Sequence, residues 1–185
     1  MLYRGFIWYD ARLISHPVVV KAITSGVLTM AGDFAAQAYL AGPDQPWSAP
    51  RLLLFGFLGT FFIGPVLHVW YGGIHASATI FLSTFRKSPR MRTAICVLND
   101  QVLFAPIFLS AYLTAYTLCM ARVSELQPKT RYLFGEILGV NYFFWVPVQW
   151  INFAYVLPRY NVLFSNVAAV AWNSYLSWKQ NPPEP

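Results

Sequence analysis

Charged residues are scarce in this sequence: only 11% of its 185 residues are Asp, Glu, Lys or Arg, and only seven are acidic. A soluble globular domain carries charge at roughly 25% of its positions. Hydrophobic residues make up 57% of the chain and aromatic residues 18%. This composition excludes an ordinary soluble domain and favours a membrane protein, in which aromatic side chains collect at the lipid–water interfaces.

Cysteine is rare, and motifs of catalysis are missing. Cys96 and Cys119 lie in apolar stretches, and on one helix they would be roughly 34 Å apart, too far for a disulfide bond. The sequence contains no nucleophile elbow, HExxH motif, phosphate-binding loop or dinucleotide fingerprint. His68 and His75 share a helix face, but no other ligand stands at metal-site spacing. We therefore expect no enzymatic activity, no cofactor and no metal.

The net charge of +6 comes from basic residues that fall mostly between apolar runs. Such residues indicate topology and contacts with lipid phosphates, so we expect membrane lipids and not nucleic acid as partners. One side of the membrane is expected to hold Arg4, Arg12, Lys21, Arg86, Lys87, Arg90 and Arg92, and the other Arg51, Arg122, Lys129 and Arg131. The richer side should face the cytoplasm, or the matrix if the membrane is the mitochondrial inner one.

Long apolar runs predict an all-α polytopic membrane bundle in a single domain, residues 1–185. The predicted segments are four spans at about 18–40, 52–85, 93–121 and 132–156, and an apolar C-terminal helix at 160–178. The uncharged run Leu52–Phe85 would be roughly 51 Å long as one straight helix, against a hydrocarbon core of about 30 Å. It must tilt, protrude or bend, and Gly64-Pro65 and Gly72-Gly73 are the expected places for a bend. The C-terminal helix fits either a fifth span or an interfacial helix.

Polar side chains inside the apolar segments are the candidate functional residues. They are Asp33, Gln37, His68, Asp100, Gln101, Trp145, Gln149 and Asn152. An intramembrane carboxylate faces the bundle interior or a water-filled cavity, because exposure to lipid is costly. These residues could line a pore, or they could form hydrogen bonds between helices. His68 is expected to bond a carboxylate such as Asp33 or Asp100.

Several of these residues stand at the spacing of one known family. Gly64-Pro65, His68 and Trp70-Tyr71 fit the signature G-P-x-x-H-x-W-Y. Further matches are Tyr9, Leu13, His16-Pro17, Thr24, Gly26, Gly32-Asp33, Gln37, Arg51, Gly59, Asp100-Gln101, Pro106, Asn141, Trp145, Gln149, Asn152-Phe153, Tyr160 and residues 172–178. Over nearly its whole length the chain resembles the Mpv-seventeen and twenty-two-kilodalton peroxisomal membrane protein family.

The resemblance implies a four-span helical bundle in the mitochondrial inner membrane, with the peroxisomal membrane as the alternative. It also implies a small-solute channel or pore that supports metabolite homeostasis. Three cations usual in the family are replaced, by Leu54, Cys96 and Asn161. Their loss favours a second hypothesis, a structural accessory subunit of a larger membrane complex such as a respiratory complex. A homo-oligomer is a further possible assembly.

Overall fold

The computed structural model describes residues 2–40, 47–83, 88–120 and 126–180, with side chains for 4–39, 47–76, 88–120 and 134–179. Within these ranges every regular element is a helix. The α-helices are α1 (Leu2–Ser15), α2 (Pro17–Ala35), α3 (Ala49–Leu58), α4 (Gly64–Ser83), α5 (Pro89–Asn99), α6 (Ala105–Cys119), α7 (Leu126–Tyr155) and α8 (Asn161–Gln180), and a 3₁₀ turn covers Pro158–Tyr160. The predicted all-α class is therefore confirmed.

In the described ranges, three π-helical turns widen the long apolar helices, at Ala36–Leu40, Gly59–Ile63 and Asp100–Phe104. The second and third lie directly before Gly64-Pro65 and Ala105-Pro106, respectively. Proline lacks the N–H of a regular helical hydrogen bond, and its ring crowds the preceding turn. A wider turn relieves this conflict without ending the helix. The irregularity expected near Gly64-Pro65 is thus a π-helical turn that ends one residue before it.

Three helical stretches in the described part of the chain are long and apolar enough to cross a membrane: Pro17–Tyr39, Ala49–Ala76 and Pro89–Cys119. They correspond to the first three predicted spans. The predicted fourth span falls within α7, which continues through Pro147. That fourth span and the placement of the C-terminal helix stay predictions. Residues 41–46, the basic residues Arg86, Lys87 and Arg122, and the tail after residue 180 lie outside the described residues.

The chain forms two compact units, of which the first comprises Met1–Tyr71 and Arg159–Pro185, and the second Gly72–Pro158. In the first unit α2 packs between α8 and the α3 helix with its π-helical turn. In the second unit α7 packs against both α5 and α6. Each unit is described by itself below, and the single domain stays a prediction.

Close approach of backbones holds the first unit together. A Cβ atom added at Gly59 would lie 2.7 Å from Gly26 Cα and 2.8 Å from the Ser25 carbonyl oxygen. A Cβ atom at Gly32 would lie 2.9 Å from the carbonyl oxygen of Val170 on α8. Small residues at such contacts let membrane helices pack tightly where no hydrophobic force joins them. Gly32 on α2 and Gly59 on the second span therefore serve helix packing.

Many of the buried residues of helix α8 are polar. Asn166 is buried and donates to Ser25 Oγ on α2 at 2.7 Å, and Ser174 donates to the Gly32 carbonyl oxygen at 2.9 Å. Val167, the residue after Asn166, is 59% exposed. A soluble helix buries its apolar face instead. Buried polar residues are expected where lipid surrounds the helix and interhelical hydrogen bonds provide cohesion.

Candidate functional site

Asp33 forms the centre of a charged cluster in the first unit. Its side chain is 0% exposed. Arg51 Nε lies 3.0 Å from Asp33 Oδ1 as an ion pair and hydrogen bond, and Gln37 Nε2 donates to Oδ2 at 2.7 Å. Ser177 on α8 donates its hydroxyl to Oδ1. The Asp33 carboxylate of α2 therefore joins three helices, since its partners come from the π-helical turn that continues α2, from α3 and from α8.

The start of α3 explains how Arg51 reaches this acid. Ser48 is the N-cap residue, and its Oγ accepts from the Arg51 backbone N–H at 3.3 Å. Gln37, on the π-helical turn after α2, accepts from the Ser48 N–H at 2.8 Å and donates to the Ser48 carbonyl oxygen at 3.1 Å. These bonds fix the first turn of α3 beside α2. Arg51, only 11% exposed in its side chain, is thereby held in the interior.

His68 has a different partner from the one expected. Its Nδ1 lies 3.3 Å from Lys21 Nζ. The prediction that His68 bonds Asp33 or Asp100 is therefore wrong for the part of the chain that the structure describes. The cause is the close approach of α2 and α4, where a Cβ atom added at Gly64 would lie 3.2 Å from the Lys21 carbonyl oxygen. His68 stands one turn after Gly64 and therefore meets Lys21. The acid at position 33 is engaged by Arg51 instead.

Asp100 forms the centre of a second cluster, in the second unit, and it is 2% exposed. Its Oδ2 accepts from Gln101 Nε2 at 2.8 Å and from Gln149 Nε2 at 3.0 Å. Asn152 donates to Gln149 Oε1 at 2.9 Å, and Asn141 donates to Gln101 Oε1 at 3.3 Å. We call these five residues the Asp100 cluster. It joins the π-helical turn between α5 and α6 to α7.

The helical spacing of Asn141, Trp145, Gln149 and Asn152 predicts one polar stripe on α7, and this stripe lies against the predicted polar residues of the third span. Asn141, Gln149 and Asn152 are all buried, and residues 141 to 152 extend about 16 Å along the helix. Trp145, predicted on the same stripe, is half-buried and packs edge-on against Phe144 with ring centroids 5.2 Å apart. The pore-lining role of the whole predicted set stays a prediction.

Sequence reasoning missed Arg51 and Ser177 as site residues. A signal for Arg51 was present, because an acid inside an apolar helix requires compensation and Arg51 is a cation at the start of the neighbouring span. Ser177 gives no such signal, since one hydroxyl on an apolar helix normally bonds its own backbone. Only the packing of α8 on α2 brings it to Asp33.

A third polar contact, also missed, holds α1 to the turn before α8. Tyr160 donates its hydroxyl to Asp10 Oδ1 at 2.6 Å, and Arg159 Nε lies 3.5 Å from the same oxygen. Phe6 packs against the Tyr160 ring at 5.9 Å. The hydrogen bond to the Asp10 carboxylate raises the pKa of Tyr160 above its usual 10. Neither the sequence spacing nor the residue types indicated this pairing.

Within the described residues, no group of three or more His, Cys, Asp or Glu side chains is placed to hold a metal ion. Cys96 is buried and Cys119 is exposed, and both are free thiols. The arrangement offers buried carboxylates, amides and hydroxyls, which can bind water, cations or polar solutes or can join helices. The predicted absence of enzymatic activity stays a prediction.

Comparison with known proteins places these features in one family. The sequence model of the Mpv17 / PMP22 family matches residues 117–177 of this chain. "Mitochondrial inner membrane protein Mpv17" of Danio rerio is 35% identical over 175 residues, which cover 94% of this chain and 95% of that protein. "Peroxisomal membrane protein 2" of Bos taurus is 30% identical over 181 residues, 94% of this chain and 88% of that protein.

A fungal protein, "Protein SYM1" of Gibberella zeae, is 29% identical over 173 residues, covering 92% of this chain and 94% of that protein. No solved structure matches the chain. The Mpv17 relatives agree with the predicted location in the mitochondrial inner membrane, and the bovine peroxisomal protein corresponds to the stated alternative. The chain therefore belongs to the Mpv17 / PMP22 family and is a mitochondrial inner-membrane protein of that family.

Proposed function

We propose that this protein is a channel for small polar solutes, and that the Asp100 cluster lines its conduction path. The observation that carries the proposal is a buried carboxylate whose Oδ2 accepts hydrogen bonds from two amide side chains, Gln101 and Gln149. Ionisable residues inside membrane segments are costly and are characteristic of ion or substrate pathways. Amides can exchange their hydrogen bonds with a passing solute, because each carries both donors and an acceptor.

The extent of the cluster supports the same proposal. The polar stripe of α7 covers about 16 Å, roughly half of the hydrocarbon thickness of a bilayer. A single hydrogen bond between helices needs only one pair of side chains, whereas Asn141, Gln149 and Asn152 all turn into the interior of the second unit. A carboxylate in the lining favours cations and neutral polar solutes over anions.

The Asp33 cluster serves packing in this proposal. Arg51 compensates the Asp33 charge at 3.0 Å, so the pair presents little net field to a solute. Its bonds to Gln37 and Ser177 tie together helices of the first unit. This division revises the sequence-based hypothesis, which placed Asp33 and Gln37 in the pore lining together with the residues of the second unit.

The test is electrical recording from the purified chain in planar bilayers. Asp100→Asn removes the charge and preserves side-chain size, so the ratio of cation to anion permeability should fall. Thr114→Val is the matched control, because Thr114 is exposed on α6 and bonds its own helix at the Ser110 carbonyl oxygen. Absence of channels in the unaltered chain, or identical selectivity in Asp100→Asn, would count against the channel.

An accessory subunit of a larger membrane complex is the second candidate. The compensated Asp33–Arg51 pair favours it, because a helix bundle joined by buried hydrogen bonds needs no transport role to account for its polar residues. Mild solubilisation followed by native electrophoresis distinguishes the two. Co-migration at fixed stoichiometry with a large complex supports the subunit, and a small homo-oligomer or monomer supports the channel.

A further inference from the structure

An apolar groove of about 570 Å³ runs along the first unit between α1, α2 and α8. Its walls within the span are mostly aliphatic side chains, namely Val19, Val20, Ile23, Val27 and Leu28 of α2 with Leu163 and Val167 of α8. The one polar residue among the described wall residues, Thr24, forms a hydrogen bond with Tyr9 at 3.2 Å. Several are exposed on the outer face; Val27, for example, is 61% exposed and Val167 59% exposed. In a bilayer this groove opens to the hydrocarbon, so an acyl chain is its natural occupant.

The mouth of the groove has a different chemistry. It is lined by Trp8, Tyr9 and Arg12 of α1 and by His16 at the start of α2. Arg12 lies over the Trp8 ring, with its guanidinium carbon 5.7 Å from the ring centroid. A cation–π contact of this kind orients the guanidinium and leaves its N–H groups able to donate to a phosphate. No acidic residue is among the groove-lining residues that the structure describes.

The acid nearest to this mouth in sequence, Asp10, lies on the other side of α1. It accepts from Tyr160 at 2.6 Å and contacts Arg159 at 3.5 Å. Arg4, Trp8 and Arg12 follow one another at four-residue intervals and so share a face of α1. The helix thus presents a basic and aromatic face beside the groove, and its carboxylate is engaged elsewhere. This asymmetry of charge selects an anionic headgroup.

The length of the groove matches one lipid leaflet. The membrane-spanning part of α2 begins at Pro17, so Arg12 and His16 lie at the end of the span. From residue 16 to Leu28 the helix rises about 18 Å. Half of a hydrocarbon core is about 15 Å. A phospholipid with its phosphate at Arg12 would therefore have its acyl chain beside the α2 and α8 side chains as far as the bilayer midplane.

We propose that this groove is a binding site for one anionic phospholipid of the bilayer, with its phosphate held by Arg12 at the mouth and one acyl chain held between α2 and α8. The site is independent of the Asp100 cluster, because all of its residues belong to the first unit. Bound lipid would contact α1, α2 and α8 together.

Native mass spectrometry of the purified chain tests this proposal. The protein is equilibrated in micelles that contain equal amounts of phosphatidylglycerol and phosphatidylcholine with identical acyl chains. One phosphatidylglycerol should remain bound in clear excess over phosphatidylcholine. Arg12→Gln should lower the bound phosphatidylglycerol roughly tenfold, as expected for loss of a charge-assisted contact. Arg90→Gln, which removes an exposed cation from the second unit, should leave it unchanged.

The acyl-chain half of the proposal has its own variant. Val27→Trp fills the groove and should reduce retention of both lipids, whereas Val69→Trp, at a position on α4 that is 73% exposed, should not. Circular dichroism of each variant checks that it is folded. Equal retention of the two lipids, or equal losses in Arg12→Gln and Arg90→Gln, would overturn the site. A dimer mass that Val27→Trp abolishes would assign the groove to a second copy of the chain and overturn it as well.

Discussion

Among the residues that the structure describes, the two buried carboxylates, Asp33 and Asp100, have different hydrogen-bond partners. Asp33 in the first unit contacts a guanidinium at 3.0 Å and accepts a serine hydroxyl from α8. Asp100 in the second unit accepts on Oδ2 from the amides of Gln101 and Gln149. An ion pair fixes two charges in one geometry, whereas amides can reorient and exchange partners. Under the proposed function, these two buried acids serve two purposes, cohesion in the first unit and a polar path in the second.

The largest expected effect is on stability, from Asp33→Asn. Removal of one partner leaves Arg51 with an uncompensated charge in a site where its side chain is 11% exposed. Loss of a buried ion-pair partner costs about 3–5 kcal/mol. Denaturation of the purified protein in mixed detergent micelles measures the change. The double variant Asp33→Leu with Arg51→Met should recover most of the loss, because it removes both charges together.

The partly exposed ion pair supplies a matched control. Arg159, 50% exposed in its side chain, contacts Asp10 at 3.5 Å. Arg159→Gln should cost far less than Asp33→Asn, because solvent screens an exposed pair. Equal losses of unfolding free energy in the two variants would mean that the buried Asp33–Arg51 pair stabilises the protein no more than the exposed pair does.

Glycine-to-alanine substitutions compare how closely helices pack at one glycine in each unit. Gly59→Ala should destabilise the first unit by about 1–3 kcal/mol, since the new methyl would meet the Gly26 backbone and the Ser25 carbonyl oxygen. Gly72→Ala in the second unit meets no atom of the described structure within 4 Å, and it should be neutral or stabilising by up to about 1 kcal/mol. The same denaturation assay measures both. A neutral Gly59→Ala would contradict the close packing of α2.

The Asp100 cluster should tolerate change better. Gln149→Met removes one amide from Asp100 Oδ2 and keeps a similar side-chain length. Hydrogen bonds between membrane helices contribute about 0.6 kcal/mol on average and at most about 1.7 kcal/mol. A loss within that range is expected in the unfolding assay. A loss as large as that of Asp33→Asn would assign the Asp100 cluster to cohesion as well.

The smallest effect concerns Tyr160, whose pKa is raised chiefly by its hydrogen bond to Asp10. Because the folded protein prefers the protonated phenol, the contribution of this bond to stability is complete below pH 10 and is lost as pH rises through the elevated pKa. The difference in tyrosinate absorbance between the unaltered chain and Tyr160→Phe isolates this one titration. It should occur above pH 10, and Asp10→Asn should move it downward. A midpoint at or below 10 would contradict the contact.

Much of this fold follows from the sequence, because a bilayer imposes a simple rule on segment length. The first three predicted spans coincide closely with Pro17–Tyr39, Ala49–Ala76 and Pro89–Cys119. Gly64-Pro65 predicted an irregularity of the helix backbone, because proline cannot donate a helical hydrogen bond. The π-helical turn Gly59–Ile63 lies directly before it. Local chemistry was enough for these features.

The pairing of side chains across helices was harder to predict. His68 contacts Lys21 and not an acid, because the approach of α2 and α4 is set by glycine packing that carries no directional signal. Ser177 reaches Asp33 only because α8 lies along α2. Helix periodicity gives the face of a residue but not the neighbour that the face meets. The two clusters were therefore predicted as one set of polar residues and not as two.

The most direct test of the division between cohesion and conduction applies one chemical change to both acids. Asp33→Asn and Asp100→Asn are purified in parallel, and each is measured for unfolding in detergent and for ion selectivity in bilayers. We expect Asp33→Asn to lower the free energy of unfolding far more than Asp100→Asn does. Of the two variants, measured as folded protein, only Asp100→Asn should alter ion selectivity. If Asp100→Asn unfolds as readily as Asp33→Asn and leaves selectivity unchanged, the proposed division of roles is contradicted.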